Sequence, residues 1–242
     1  MALTLYTFAL SHFAEKGRSL LAFKKLEFRS VELKLGWPQL GLLRMSGQRK
    51  VPVLDHDGVI VPDSTEIALY LERTFAGPPR LLPDDEGLRR DVLELEDRVD
   101  RVLGGAAPLI WFNSLQTDPV LASRVIELEV FGVRPRSSRW LSRLTARGVE
   151  LAPFQARVAR AERAARRMLD ELCDRLAATR YLVGDEPSLA DVAAAALALH
   201  LRFPKAFRVS EFAGLSVPGW GDDPRLSRFF EWRDRFYEEN LA

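Results

Sequence analysis

The chain of 242 residues holds a single cysteine, Cys173, and only three histidines. One cysteine excludes an intramolecular disulfide, a multi-cysteine metal site and exchange between two protein thiols. Cys173 sits in RMLDELCDRL beside a helical apolar stripe, the setting of a packed thiol rather than a reactive one. Net charge is equally scarce, since 35 basic against 34 acidic residues leave +1. Such balance gives no electrostatic footing for nucleic acid or for a membrane surface. No apolar run approaches the ~20 residues of a membrane span. The N-terminus, MALTLYTFALSHFAEK, lacks a basic leader and a small-residue cleavage site. These absences predict a cytoplasmic protein with no metal, no nucleic-acid partner and no membrane partner.

What is present is ordinary globular material, 47% hydrophobic and 29% charged. The length suffices for one large domain or two of common size. In LTLYTF, Leu3 and Leu5 alternate with Thr4 and Tyr6 as a strand requires. From Phe13 the period changes, and Phe13, Gly17, Leu20 and Leu21 keep helical spacing. Phe28 to Leu33 reads as a second strand, after which Gly36-Trp37-Pro38 breaks the pattern and the stretch to Lys50 reads as loop. Val51 to Asp55, the turn His56-Asp57-Gly58 and Val59 to Val61 form a strong hairpin signal. Asp63-Ser-Thr-Glu66 then opens a helix with Ile67, Tyr70 and Leu71 on its apolar side.

Beyond the proline-rich stretch Gly77-Pro78-Pro79 the strand signal vanishes. Leu88, Val92, Leu95, Val99 and Val102 give a helical stripe, expected to end at Gly104-Gly105 and Pro108. Further helices are expected over Val120 to Val133, from Phe154 to Leu176, over 189 to 201, and around Leu226 to Tyr237. The alanine-rich segment 189 to 201 is apolar nearly all round and belongs in the centre. The fold class is therefore α/β plus all-α, with boundaries at 1–78, a linker at 79–86 and a helical domain at 87–242.

Three short stretches carry chemistry. Ser11 stands between the first strand and the first helix, where a helix N-terminus favours an anion. Pro52 in KVPVL lacks the N–H that a paired strand needs, so it suits a cis bond or the start of an edge strand, and the residues leave both open. Asp63 and Glu66 have the spacing of a capping box, and the same helix start can hold a carboxylate. An acidic side chain beside it suits an ammonium, so an α-amino acid end fits both.

In that order the strand, SHFAEKGR, KVPVL, DSTEIALYLE, the acidic-proline linker and YLVGDEPSLAD, with an all-helical remainder, resemble the soluble glutathione S-transferases. The resemblance implies a thioredoxin-like N-terminal domain followed by an all-helical one, with a cis Val51–Pro52 bond. It implies that Val51 pairs with the cysteinyl part of glutathione, that Asp63 and Ser64 grip its γ-glutamyl end, and that Lys50 faces its glycyl carboxylate, with Arg49 and Gln48 as rivals. It also implies a homodimer, and a structural role for Ser188 and Asp191 as a helix cap.

Seven residues before Arg18, Ser11 resembles in register the active residue of the serine and cysteine classes. Tyr6 is its rival as the active hydroxyl, though the tyrosine-class position falls on Thr7 and Tyr6 faces the opposite side of the strand. A plain N-cap is the bland alternative for Ser11. The resemblance implies that this serine is a donor to glutathione's sulfur, not a nucleophile. Lowering a thiol from about 8.5 by two units needs about 2.7 kcal/mol. A helix N-terminus supplies roughly 0.3–2 kcal/mol and a hydroxyl bond to the charged sulfur roughly 1.5–3. No base is required. His12 replaces the family's usual proline and is expected to be an exposed first-turn residue. Arg134, Arg136, Arg139, Arg143 and Arg147 read as a solvated face. The expected function is a glutathione transferase attacking an apolar electrophile between the domains, with Trp111, Phe112, Phe203, Phe207 and Trp220 as candidate lining residues or, more simply, core. The alternative is a non-catalytic binding module of the same fold.

Overall fold

A computed structural model describes residues 2–34, 36, 38–131 and 152–241. Trp37, Val133 and the arginine run from Arg134 to Arg147 lie outside the described residues. The N-terminal elements are β1 (Leu3–Thr7), α1 (His12–Phe23), β2 (Arg29–Glu32), α2 (Pro38–Ser46), β3 (Val53–His56), β4 (Val59–Pro62) and α3 (Ser64–Thr74). They build a four-stranded sheet in the order β2-β1-β3-β4. β1 runs parallel to β2, so α1 serves as the crossover, and β3 and β4 close the sheet antiparallel. The hairpin pairs His56 with Val59, leaving Asp57-Gly58 as a two-residue turn with φ +50° and +91°. Both signs match the turn that follows strand twist, and Asp55 Oδ1 accepts from Gly58 N–H at 2.8 Å.

The stretch expected to be loop after Trp37 contains α2. Pro38 opens it, a position where the missing N–H costs nothing. The helix buries only Leu42, so its sequence shows no wide apolar stripe.

The helical part comprises α4 (Glu86–Ser114), α5 (Pro119–Ile126), a π-helical turn (Glu127–Phe131), α6 (Ala152–Ala178), α7 (Leu189–Leu197) and α8 (Ser227–Asn240). All nine residues of α7 are buried, as its even apolarity predicts. Asp191 accepts from Ser188 N–H, Ser188 Oγ and Leu182 N–H at 2.8–2.9 Å, closing the cap within the protein interior. Burial still dominates and lifts its carboxyl to about 6. Cys173 is buried, with Sγ 3.5 Å from the Arg225 carbonyl and its thiol pushed up by burial.

One expectation fails at α4. The helix does not end at Gly104-Gly105 and Pro108 but runs through them to Ser114. Gly104 survives in the helix because Phe13 of α1 lies against it: a Cβ there would stand 2.6 Å from Phe13 Cζ. Pro108 survives because the bond it cannot make is replaced, as described below. The larger of two hydrophobic clusters among the described residues joins Leu5, Leu20, Ile67 and Leu71 of the first domain to Val92, Leu95, Val99 and α7 residues of the second.

Gly104→Ala will displace Phe13 and cost about 1–3 kcal/mol. Gly105→Ala, whose Cβ meets open space, gains about 0.5–1 kcal/mol from the removal of a helical glycine. Urea unfolding of the two variants checks this; equal effects would remove Phe13 as the cause.

Candidate active site

The three stretches singled out in the sequence converge on α1. Ser11 caps its N-terminus with extended backbone, and its Oγ accepts from Ala14 N–H at 3.2 Å. A hydroxyl that accepts still has its own proton to give. Val51 shares a small buried cluster with Ala14 of the first turn, together with Leu42 and Val53. The Val51–Pro52 bond is cis. Pro52 lies against Gly17 so closely that a Cβ on that glycine would stand 3.1 Å from the ring. Val51 precedes β3, whose ladder begins at Val53. Tyr6 packs onto the same small cluster, while Leu5 and Thr7 point to the other face.

At α3, Asp63 caps the helix, its Oδ1 accepting from Thr65 and Glu66 N–H at 2.8 and 3.3 Å. Asp63 holds φ +72°, a backbone region that side-chain-bearing residues rarely adopt. Ser64 beside it is 1% exposed, and its Oγ has no hydrogen-bond partner among the described residues. A buried hydroxyl left unpaired costs about 1–3 kcal/mol, so its partner is to be sought in a ligand. Thr65 is tied to α1 through Lys16, which is fully buried and reaches Thr65 Oγ1 at 3.1 Å, Asp100 at 2.7 Å and the Glu96 carboxylate. Lys50 is exposed just ahead of Val51, and Gln39 donates to the neighbouring Arg49 carbonyl at 3.3 Å.

The helical domain reaches the same place. Glu129 Oε1 accepts from Leu10 N–H at 2.5 Å, and Lys34 donates to the Leu128 carbonyl at 2.7 Å. Burial pushes the Glu129 carboxyl up. Arg208 bridges back to Glu32 at 2.6 Å, to Glu15 and to the Ala9 carbonyl. Of the aromatic residues named as candidate lining, Trp111, Phe203, Phe207 and Trp220 are buried core, and Phe112 is 57% exposed.

With this geometry established, comparison with known proteins is direct. Residues 5–79 match the model of the glutathione S-transferase N-terminal domain, and residues 155–235 match that of the C-terminal domain. A probable glutathione S-transferase, GSTU1 of Oryza sativa subsp. japonica, is 33% identical over 235 residues, covering 90% of this chain and 96% of that one. The chain belongs to the glutathione S-transferase family. Solved structures agree on the fold. A glutathione S-transferase from Methylobacterium radiotolerans in complex with glutathione sulfonate superposes with TM-score 0.67 at 23% identity, over all of this chain and 92% of that one. Rice GST1 in complex with glutathione gives 0.63 at 24%, over all of this chain and 90% of that one.

Against the expectation for the family's usual proline position, His12 is not exposed. It is 8% exposed, and its Nε2 lies 2.9 Å from the Gly104 carbonyl of α4. Its ring meets Phe13 at 4.4 Å and His200 at 5.0 Å between centroids. Burial lowers its pKa to about 4, against the opposing pull of the Gly104 carbonyl. The pKa of buried His200 is also lowered, by burial and then by the neighbouring His12. The sequence offered no apolar periodicity to announce this, because the contact comes from a helix 92 positions away.

Both histidines take up protons in the unfolded chain below about 6.5 but resist them when folded. Stability present above that pH is therefore lost as pH falls toward 4. Asp191, raised to about 6, works the other way and offsets part of the loss. For His12 alone the drop by pH 4.5 is about 2–3 kcal/mol at about 1.36 kcal/mol per pKa unit. Urea titrations at about pH 7.5 and about pH 4.5 check it: His12→Leu will show a smaller loss than wild type, and an equal loss removes His12 from the account.

Proposed function

We propose that the chain is a glutathione transferase in which Ser11 donates a hydrogen bond to the sulfur of bound glutathione and keeps it ionised. The observation that carries the reading is Ser64: a buried hydroxyl without a partner among the described residues, at a helix N-terminus beside an exposed acidic cap. That combination suits the carboxylate and the ammonium of an amino-acid end. The γ-glutamyl group is assigned to Asp63 and Ser64, the cysteinyl backbone to Val51 beside Pro52, and the glycyl carboxylate to exposed Lys50. The sulfur then lies at the N-terminus of α1, where Ser11 has a proton free to give and the helix dipole favours negative charge.

The ionised sulfur attacks an electrophile, forming a carbon–sulfur bond as the electrophile's leaving group departs or its double bond accepts the electron pair. The second substrate is assigned to the space between the domains, where Leu128 and Glu129 bring the helical domain over Lys34 and Leu10. An apolar electrophile, a cytoplasmic location and a homodimer complete the reading, as do domain limits at 1–78 and 87–242 with 79–86 between them.

Titration of bound glutathione by thiolate absorbance tests the assignment. Ser11→Ala raises the thiol pKa by about 1–2 units, the equivalent of one charged hydrogen bond. Ser64→Ala weakens glutathione binding about tenfold and leaves the thiol pKa in place. Wild-type affinity and pKa in Ser11→Ala would overturn the role of that residue. Failure of the wild type to bind millimolar glutathione would leave the non-catalytic module.

A further inference from the structure

An α-helical N–H bonds to the carbonyl four residues earlier. Pro108 has no N–H, so within α4 the carbonyl of Gly104 loses its partner. His12 Nε2 occupies that carbonyl at 2.9 Å. A carbonyl only accepts, so Nε2 carries the proton and Nδ1 the lone pair. The adjacent residue, Phe13, lies in the space that Gly104 opens by lacking a side chain. Both residues that follow Ser11 are thus fixed to the same turn of α4. Leu10, which precedes Ser11, is held through its N–H by Glu129. Ser11 itself is joined to the protein by its cap to Ala14 and by its carbonyl, which accepts from Glu15 at 2.8 Å.

We propose that His12 is a positioning residue for Ser11: by filling the carbonyl that Pro108 leaves open, it pins the first turn of α1 against α4 and aims the serine hydroxyl at the substrate sulfur. The proposal rests on the transferase reading above. His12 touches neither sulfur nor electrophile. With its Nε2 proton committed to Gly104, it takes no part in proton transfer. Its contribution is felt where aim matters most, in the bond to the ionised sulfur, and little in the grip on the rest of the tripeptide.

The test compares wild type with His12→Leu, which keeps bulk and removes the donor, and His12→Gln, whose terminal amide reaches about as far as Nε2. Three quantities are read: the pKa of the bound thiol by absorbance, kcat and KM with glutathione and chlorodinitrobenzene, and the unfolding midpoint. His12→Leu is expected to raise the thiol pKa by about one unit and lower kcat about tenfold at neutral pH, with KM for glutathione within about twofold. His12→Gln is expected to restore both to within about threefold of wild type. Nitrogen chemical shifts of the histidine ring in the wild type are expected to report the Nε2–H form. An unmoved thiol pKa in His12→Leu, or a His12→Gln variant that folds like wild type yet is as impaired as His12→Leu, overturns the proposal. Absence of a thiolate band in the wild type overturns the transferase reading instead, and the ring shifts still decide whether His12 bonds Gly104.

Discussion

Helix α1 is enclosed on both sides, by its own sheet and by the helical domain. Several polar groups that it turns inward find a partner across the domain boundary. His12 finds the Gly104 carbonyl, Lys16 finds Glu96 and Asp100, and Glu15 with Arg18 meets Arg208. Removing one member of the buried Lys16–Glu96 pair strands a charge at a cost of about 3–5 kcal/mol. The boundary is consequently a set of complementary polar contacts within one continuous apolar core, and the two domains hold each other in register.

That register matters because chemistry is assigned to the end of α1. A serine has no charge with which to stabilise a thiolate. On the proposed reading its whole contribution is one hydrogen bond, which weakens steeply with poor angle or distance. The structure surrounds Ser11 with fixed neighbours: Leu10 under Glu129, His12 on Gly104, Phe13 in the gap of a missing side chain. The burial that keeps His12 neutral near pH 7 also keeps its charge away from a domain seam that already holds Lys16, Arg18 and Arg208. Asp63 and Ser64 follow the same logic at α3, where Thr65 is held through Lys16 to α1.

Much of this was legible in the chain. The change from period 2 to period 3.6 at Phe13, the His56-Asp57-Gly58 turn signal and the even apolarity of 189–201 each predict the element that forms, although the last helix ends at Leu197. The positions of Ser11, Val51, Pro52, Asp63 and Ser64 follow from local signals: a helix start, a proline in a strand context, a capping pattern. α2 was hidden because it buries a single leucine, although Pro38 marked its first turn. α4 was cut short because glycine and proline read as helix breakers when only near neighbours are considered.

The sequence by itself determined which residues have local reasons to be where they are: strands, helices, turns and caps, whose energetics lie within a few positions along the chain. Only the tertiary structure decided that Gly104 and Pro108 stay helical and that His12 is buried. The missing Cβ and the missing N–H are answered by Phe13 and His12, some ninety residues earlier in the chain. A defect in one helix becomes a socket once another helix packs against it, and no local pattern encodes that meeting.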